Sequence, residues 1–447
     1  MRKPLIALLI TSAFLSLQAE AADLIQVYRQ ALANDAQYAS ARAALAAGQE
    51  RVPQGLAGLL PTIGLSGSNT RGNTELVPTN AGQPEVINGN LVAAERRSVN
   101  AHVNTYNLTL TQPLYRWANW QTYQQSKLAQ AEAEAQFALA QQDLITRVAQ
   151  AYFDVLTAQD KLGSTRAQKV ATTEQLASAK RNFEVGTQTI TDTHEAQAAY
   201  DLVVAQEFAA INDLDNKRAA LQTIIGATPT ALAPIRTEVA ISSPSPAAVE
   251  SWIASAEQQN YGVVMAQLAL EIATRDISRN RAGHYPTLDL VANAGHSYTT
   301  NSGSTNNNAI GVQWNVPLFS GFAVTSKVRE SIALEERARN DLETARRNAS
   351  QGARLAYLGV NSGLAQVKAL EQAEVSSQSA LDSNKLGYQV GVRINIDVLN
   401  AQKQLFSTQK DLAKARYDTI MNGLRLKSAA GTLKEADLGP VNALLQK

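Results

Sequence analysis

Cysteine is absent from all 447 residues. Disulfides, thiol nucleophiles and thiolate metal sites are therefore excluded, as is a lipid carried on an N-terminal cysteine. Net charge is almost absent as well. Forty Lys and Arg against 39 Asp and Glu leave +1, which gives no bulk attraction to nucleic acid or acidic partners. Histidine is scarce, with His102, His194, His284 and His296 making up the four. His194-Glu195 begins like a zinc helix, but position 198 is Ala198, so no second ligand follows at the required spacing. Gly64 and Gly67 complete neither a phosphate loop nor a nucleophile elbow. Asp213 and Asp215 stand two apart on a helical stretch and do not share a face. The sequence thus offers no catalytic constellation, and no enzyme activity, cofactor or resident metal is expected. Beyond the N-terminus, no apolar run reaches the length of a transmembrane helix.

What is there begins with a leader. Arg2 and Lys3 precede an apolar run from Leu5 to Leu17, and Ala19-Glu20-Ala21 follows as a small-x-small site. That order predicts a secretory signal peptide over residues 1–21. A membrane anchor is the alternative, and the run is too short to span a bilayer.

The rest of the chain says nearly everything twice. Asn182-Phe183-Glu184-Val185-Gly186-Thr187-Gln188-Thr189-Ile190-Thr191-Asp192 is answered by Gly387-Tyr388-Gln389-Val390-Gly391-Val392-Arg393-Ile394-Asn395-Ile396-Asp397, at an offset of 397 − 192 = 205. Ala196-Gln197 and Ala401-Gln402 keep that offset, as do Gly226 and Gly431. Gln112-Pro113-Leu114-Tyr115 answers Val316-Pro317-Leu318-Phe319 at 204, and Pro61-Thr62 answers Pro286-Thr287 at 225. The first copy therefore carries 225 − 204 = 21 additional residues between those marks. A unit repeated at this length means two structurally equivalent halves. They are expected over 22–226 and 247–432, joined by a linker at 227–246 and followed by a tail at 433–447.

Each copy predicts a short helix, two strands, a very long helix, a turn and a further helix. From Trp117 to Glu184 there is no proline and one glycine, Gly163, among good helix formers. Phe322 to about Leu386 has the same character, and helices over 192–225 and 397–430 follow the Val-Gly turns. Helices over 24–56 and 247–281 complete the set. Unbroken patterns of this length suggest coiled-coil packing, with a soluble bundle or rod as the plainer reading. Segments 62–71, 99–112, 287–298 and 309–319 instead alternate with period two, as in Ile310, Val312, Trp314 and Val316, and predict strands with one apolar face. Polar loops rich in Asn, Gly, Ser and Thr follow at 72–98 and 299–308. Val99, Ala101 and Val103 fall out of phase with Tyr106, Leu108 and Leu110, through either a bulge or a departure from lipid. An outer-membrane barrel and a soluble hairpin share this alternation, and the period alone leaves both open. Four strands cannot close a barrel; three chains give 3 × 4 = 12 strands, within the range of known barrels. Tyr115, Trp117 and Trp120, at a strand-to-helix junction, suit an interfacial anchor.

The order of these elements, together with Phe183–Asp192, Tyr388–Asp397, Ala415-Arg416-Tyr417 running to Lys427-Ser428-Ala429-Ala430-Gly431-Thr432-Leu433, and His284-Tyr285-Pro286-Thr287-Leu288-Asp289-Leu290, resembles the outer membrane efflux (TolC) family over essentially the whole mature chain. The lack of cysteine fits its unlipidated branch, which serves efflux and type I secretion. The resemblance implies a mainly α fold with a transmembrane β-barrel, in which a homotrimer builds a twelve-stranded outer-membrane barrel continued by a long α-helical periplasmic tunnel. It implies a passive exit duct that meets outer-membrane lipid, a periplasmic adaptor protein and an inner-membrane transporter of ABC, RND or MFS type. The linker and tail would wrap the tunnel as a collar, to which this short tail contributes less. Without the resemblance, a soluble periplasmic helical adaptor or scaffold is the competing reading.

The resemblance also implies a gate at the Val-Gly turns. Carried over by position, Tyr388 and Arg393 reach Thr191 and Asp192 of a neighbouring helix pair, and Asp397 lines the luminal constriction, where three symmetry copies would invite cation block. The family pattern has a second aspartate one turn later; this chain has Asn400, which weakens that expectation. Val185, Gly186, Thr187, Val390, Gly391 and Val392 are the expected adaptor-docking tips. Read alone, each charged gate residue is equally a solvated helix end.

Overall fold

The computed structural model describes residues 21–76, 84–87, 90–93, 97–229, 231–236, 240–300 and 302–446; all but the last residue of the expected signal peptide lies outside them. In chain order the elements are α1 (Leu24–Asn34), α2 (Ala36–Gln49), α3 (Arg51–Ala57), β1 (Thr62–Leu76), β2 (Pro84–Ile87), β3 (Asn90–Ala93), β4 (Arg97–Tyr115), α4 (Trp117–Glu184) and α5 (Ile190–Ile225). The second copy supplies α6 (Val249–Gln259), α7 (Tyr261–Arg281), β5 (Thr287–Thr299), β6 (Gly303–Asn315), α8 (Ala323–Gln389) and α9 (Asn395–Ala429), and α10 (Leu438–Asn442) closes the chain. They fold as two compact units. One comprises Met1–Leu45, Ala135–Met265 and Glu343–Lys447, the other Ala46–Glu134 and Ala266–Leu342.

The second unit is built on an antiparallel sheet of order β1-β4-β5-β6. Its register places Ile63 opposite Leu110, Leu65 opposite Leu108 and Gly67 opposite Tyr106. It continues with Leu108 opposite Ala294, Leu110 opposite Ala292, Ala292 opposite Ile310 and Leu290 opposite Val312. Side chains alternate between faces, so these residues form one apolar face across all four strands. Ile63, Leu65, Ile310, Val312 and Trp314 on it are exposed in the protomer. Thr62, Gly64, Ser66, Thr105, Asn107, Thr109, Asn293, Gly311 and Gln313 share the opposite face. The apolar face runs from Leu288 and Trp314 to Tyr106, which stands opposite His296. Leu288 and His296 are 296 − 288 = 8 residues apart, about 27 Å along a strand, close to the apolar belt of an outer-membrane barrel. Beyond Tyr106 the same face turns polar, with Asn104 opposite Asn69 and His102 opposite Arg71. The ladder there is uninterrupted, so Ala101 and Val103 simply continue the other face, and no bulge is involved.

The strands depart from their predicted limits. β6 begins at Gly303, because the Ser-Thr-Asn run to Asn308 pairs with β5 from Thr299 to Ala294 despite its loop-like composition. It ends at Asn315 and not at 319, since Pro317 has no N–H to donate. In the first copy β1 reaches Leu76 and β4 extends to Tyr115, passing Pro113 through a register shift. Asp289, a buried charge on β5, is held by Arg116 in a two-pronged pair, Nε to Oδ1 at 2.7 Å and Nη2 to Oδ2 at 2.6 Å. Fork-to-carboxylate geometry is the strong form of such a pair.

In the first unit the short helices break where one helix each was expected. Asp35 (ψ 117°) separates α1 from α2, and Asn260 (ψ 127°) separates α6 from α7. These breaks are 260 − 35 = 225 residues apart, the offset already set by Pro61 and Pro286. Each break is stabilised by its own side chain: Asp35 Oδ1 accepts from the Tyr38 N–H and Asn260 Oδ1 from the Gly262 N–H. The long helices end alike, with Gly226 at φ +70° and Gly431 at φ +75°. At Gly431 a Cβ would lie 2.1 Å from the Gln259 carbonyl oxygen, so the backbone approach tolerates only glycine. The core gathers Leu144, Val148, Tyr152, Phe153 and Leu156 of α4 with Leu24, Val27 and Tyr28 of α1 and Tyr417, Ile420 and Met421 of α9. Leu232 of the linker and Leu433, Leu438 and Leu445 of the tail join it. Tyr152 Oη donates to the Ala233 carbonyl at 2.8 Å and lies 3.2 Å from that of Ala22, and bridges Ala22–Leu232 and Ile235–Leu445 lace the approach to α1, the linker and the tail together. The tail, though short, is thus part of the core.

Candidate functional site

The two Val-Gly turns are built identically. α4 winds down through bonds from Val185 N to Arg181 O, Gly186 N to Phe183 O and Thr187 N to Asn182 O. α8 does the same 205 residues later, from Val390 N to Leu386 O, Gly391 N to Tyr388 O and Val392 N to Gly387 O. Gly186 (φ +77°) and Gly391 (φ +79°) take the left-handed conformation that ends each helix. The tips they form are small and apolar, and Val185, Val390 and Val392 are exposed.

The starts of the next helices differ. α5 opens on a capping box: the Thr189 hydroxyl accepts from the Asp192 N–H, and Asp192 Oδ2 accepts from the Thr189 N–H at 3.1 Å. Asp192 is thereby engaged by its own helix within the protomer, while Thr191 beside it is exposed. α9 opens on Ile394, which makes no side-chain cap. Tyr388 reaches the other copy: its hydroxyl accepts from Gln188 Nε2 and, at 3.4 Å, from Asn182 Nδ2. Arg393 turns to its own helix, with Nη1 3.7 Å from Asp397 Oδ2. Arg393, Asp397 and Asn400 line one groove of about 450 Å³ beside Ser376, Ala380, Asn384 and Gln404. One protomer thus gathers the expected constriction residues, places Tyr388 on the first copy's turn, and leaves Arg393 and Asp192 on separate partners.

Sequence reasoning missed Asn182, Gln188, Gln175 and Asn395. Asn395 Nδ2 donates to the Asp192 carbonyl at 3.1 Å, and Asn395 Oδ1 accepts from Gln175 Nε2 at 2.5 Å. Aligning the copies at 205 would have flagged it, since an amide stands where the first copy has Ile190.

Buried Asp35 lies at the α1–α2 break and half-buried Asp160 on α4. Burial pushes Asp35 up, but Arg147 hydrogen bonds at 3.1 and 3.2 Å and the Tyr38 N–H outweigh it and hold the carboxyl below its ordinary range. Asp160 is raised by burial, against the opposing effect of Tyr417 Oη donating at 2.6 Å. Among the described residues no group of three or more His, Asp or Glu side chains could hold a metal ion.

The chain is 34% identical over 455 residues to outer membrane protein TolC of Vibrio cholerae, covering 99% of both. It is 32% identical over 426 residues to alkaline protease secretion protein AprF of Pseudomonas aeruginosa, covering 94% of this chain and 86% of that protein. Among solved structures it superposes on the CmeC outer membrane channel of Campylobacter jejuni with a TM-score of 0.77, at 17% identity, over 94% of this chain and 89% of that one. That likeness speaks to fold alone. The family model for Outer membrane efflux protein matches residues 27–227 and 252–432, one segment for each copy. The chain belongs to the Outer membrane efflux protein family.

Proposed function

We propose that three copies of this chain form an outer-membrane exit duct whose gate lies at the Val-Gly turns. Family membership gives the outer membrane as location and export through a channel, not catalysis, as function. The observation that carries the trimer is the sheet. Among the described residues it is open, with β1 and β6 each paired on one side only, and its apolar face is exposed. Unpaired edges and a large apolar face are not left to water. Three such sheets joined edge to edge give 3 × 4 = 12 strands, enough to close a barrel. The helices would continue it as a periplasmic tunnel, and the exposed apolar tips suit docking by a periplasmic adaptor that brings an inner-membrane ABC, RND or MFS transporter.

At the gate, Arg393 of one protomer would meet Asp192 and Thr191 of the next, exchanging its 3.7 Å pair with Asp397 for an inter-chain one. Exposed pairs of this kind are worth about 1 kcal/mol or less each, so three sets close the entrance yet leave it openable. Asp397 would then line the constriction as a ring of three carboxylates. Single-channel recording in planar bilayers tests this. The unaltered trimer should conduct in small steps, and the double variant Tyr388→Phe, Arg393→Ser should conduct several-fold more. Equal conductance would return both residues to ordinary helix-end surface.

A further inference from the structure

Asn395 is a buried amide that its own helix does not need. It is fully buried, at 0% exposure, while its counterpart Ile190 is 47% exposed. Burying an amide is unfavourable unless both its ends are hydrogen-bonded. The cap of α9 is Ile394, so Asn395 does not serve the helix start. Both ends are satisfied across the duplication instead, the donor on the Asp192 carbonyl of α5 and the acceptor on Gln175 of α4. A single side chain thus ties three helices at the gate end. The groups it joins are uncharged, and Tyr388 with Gln188 and Asn182 forms a second uncharged tie between the copies.

We infer that Asn395 is a latch: a positioning residue that holds the uncapped first turn of α9 against α4 and α5 in the closed protomer. Through that turn it sets the direction of Asp397 and Asn400, two and five residues further on. The inference rests on the gate reading above, and adds to it a tie inside each chain that does not depend on the neighbouring protomer. Because the tie is neutral and buried, salt does not screen it, in contrast to any exposed Arg393 pair. Because no side chain caps α9, losing the tie removes the polar contacts that fix its first turn on α4 and α5.

The test is single-channel conductance of purified trimers carrying Asn395→Ile, Gln175→Leu, both together, or Asn395→Asp, with Tyr388→Phe, Arg393→Ser as the reference. Heat-resistant trimers on gels confirm assembly. Asn395→Ile should raise conductance at least about twofold, and the double variant should conduct no more than the larger single, since both remove one interaction. Asn395→Asp separates a latch from mere packing. Its ionised carboxylate cannot donate to the Asp192 carbonyl, whereas its protonated form can. That channel should be open at neutral pH and close toward the parent level as pH falls, while Asn395→Ile stays open. The parent, recorded over the same range, accounts for titration of Asp192 and Asp397. If the reference opens but Asn395→Ile and Gln175→Leu both conduct like the parent, the latch is wrong and the gate stands. If the reference also conducts like the parent, the gate itself is misplaced and the latch falls with it. An Asn395→Asp channel that ignores pH reduces the residue to packing and overturns the inference.

Discussion

Asp397 and Asn400 sit one turn apart in the groove between α8 and α9, and the asymmetry between them has a measurable consequence. In a trimer Asp397 supplies three carboxylates and Asn400 none. Asn coordinates through its carbonyl but adds no charge, and attraction between a ring and a multivalent cation grows with the ring's charge. Block by a trivalent cation should therefore tighten in Asn400→Asp by about tenfold or more, and nearly vanish in Asp397→Ala. Titrating the cation against single channels of the three proteins checks this; equal block of Asp397→Ala and the parent would place Asp397 away from the constriction. At this scale the sequence showed what repetition makes visible. Gly186, Gly391 and Tyr388 stood out because the two copies could be laid over each other. For Asn395 the overlay offers only a mismatch with Ile190; its role comes from burial against α4 and α5, which the local pattern does not reveal.

Among the elements, Arg147 on α4 joins the α1–α2 break to the core. It reaches Asp35 at 3.1 Å and Asp143 at 2.6 Å, and the Asp35 side chain is only 5% exposed. Removing one partner of such a pair leaves a buried charge uncompensated. Arg147→Ala should destabilise the protomer by about 3–5 kcal/mol, read as a lower thermal midpoint of the trimer. The sign with pH follows from the lowered Asp35 carboxyl. The stability it contributes is complete above the ordinary carboxylate value of 3.8 and is lost as pH falls through the lower folded value. Arg147→Ala should flatten that acid limb, and an unchanged midpoint and pH profile would show the pair to be idle. The long helices were legible nearly to the residue, because Val-Gly turns and runs free of proline punctuate them. The breaks at Asp35 and Asn260 were not, since neither is a helix breaker by type and each is stabilised by a bond from its own side chain. The start of β6 was hidden for the opposite reason: its Asn and Ser residues read as loop until β5 supplies their backbone partners.

At the scale of the whole molecule, the duplication and the exposed sheet support one proposal together: that the chain is a third of a channel. In the proposed assembly the β1 and β6 edges pair with those of neighbouring copies. Strand count and the exposed apolar face are what support that proposal. Arg116–Asp289 and the pairing of β4 with β5 join the two copies within the sheet unit, so the sheet is a single slat and not two independent hairpins. The most direct measurement is the native mass of the protein extracted from isolated outer membranes in detergent. The account predicts three chains per particle, recovered from the outer-membrane fraction. A monomer recovered from the soluble periplasmic fraction would contradict it.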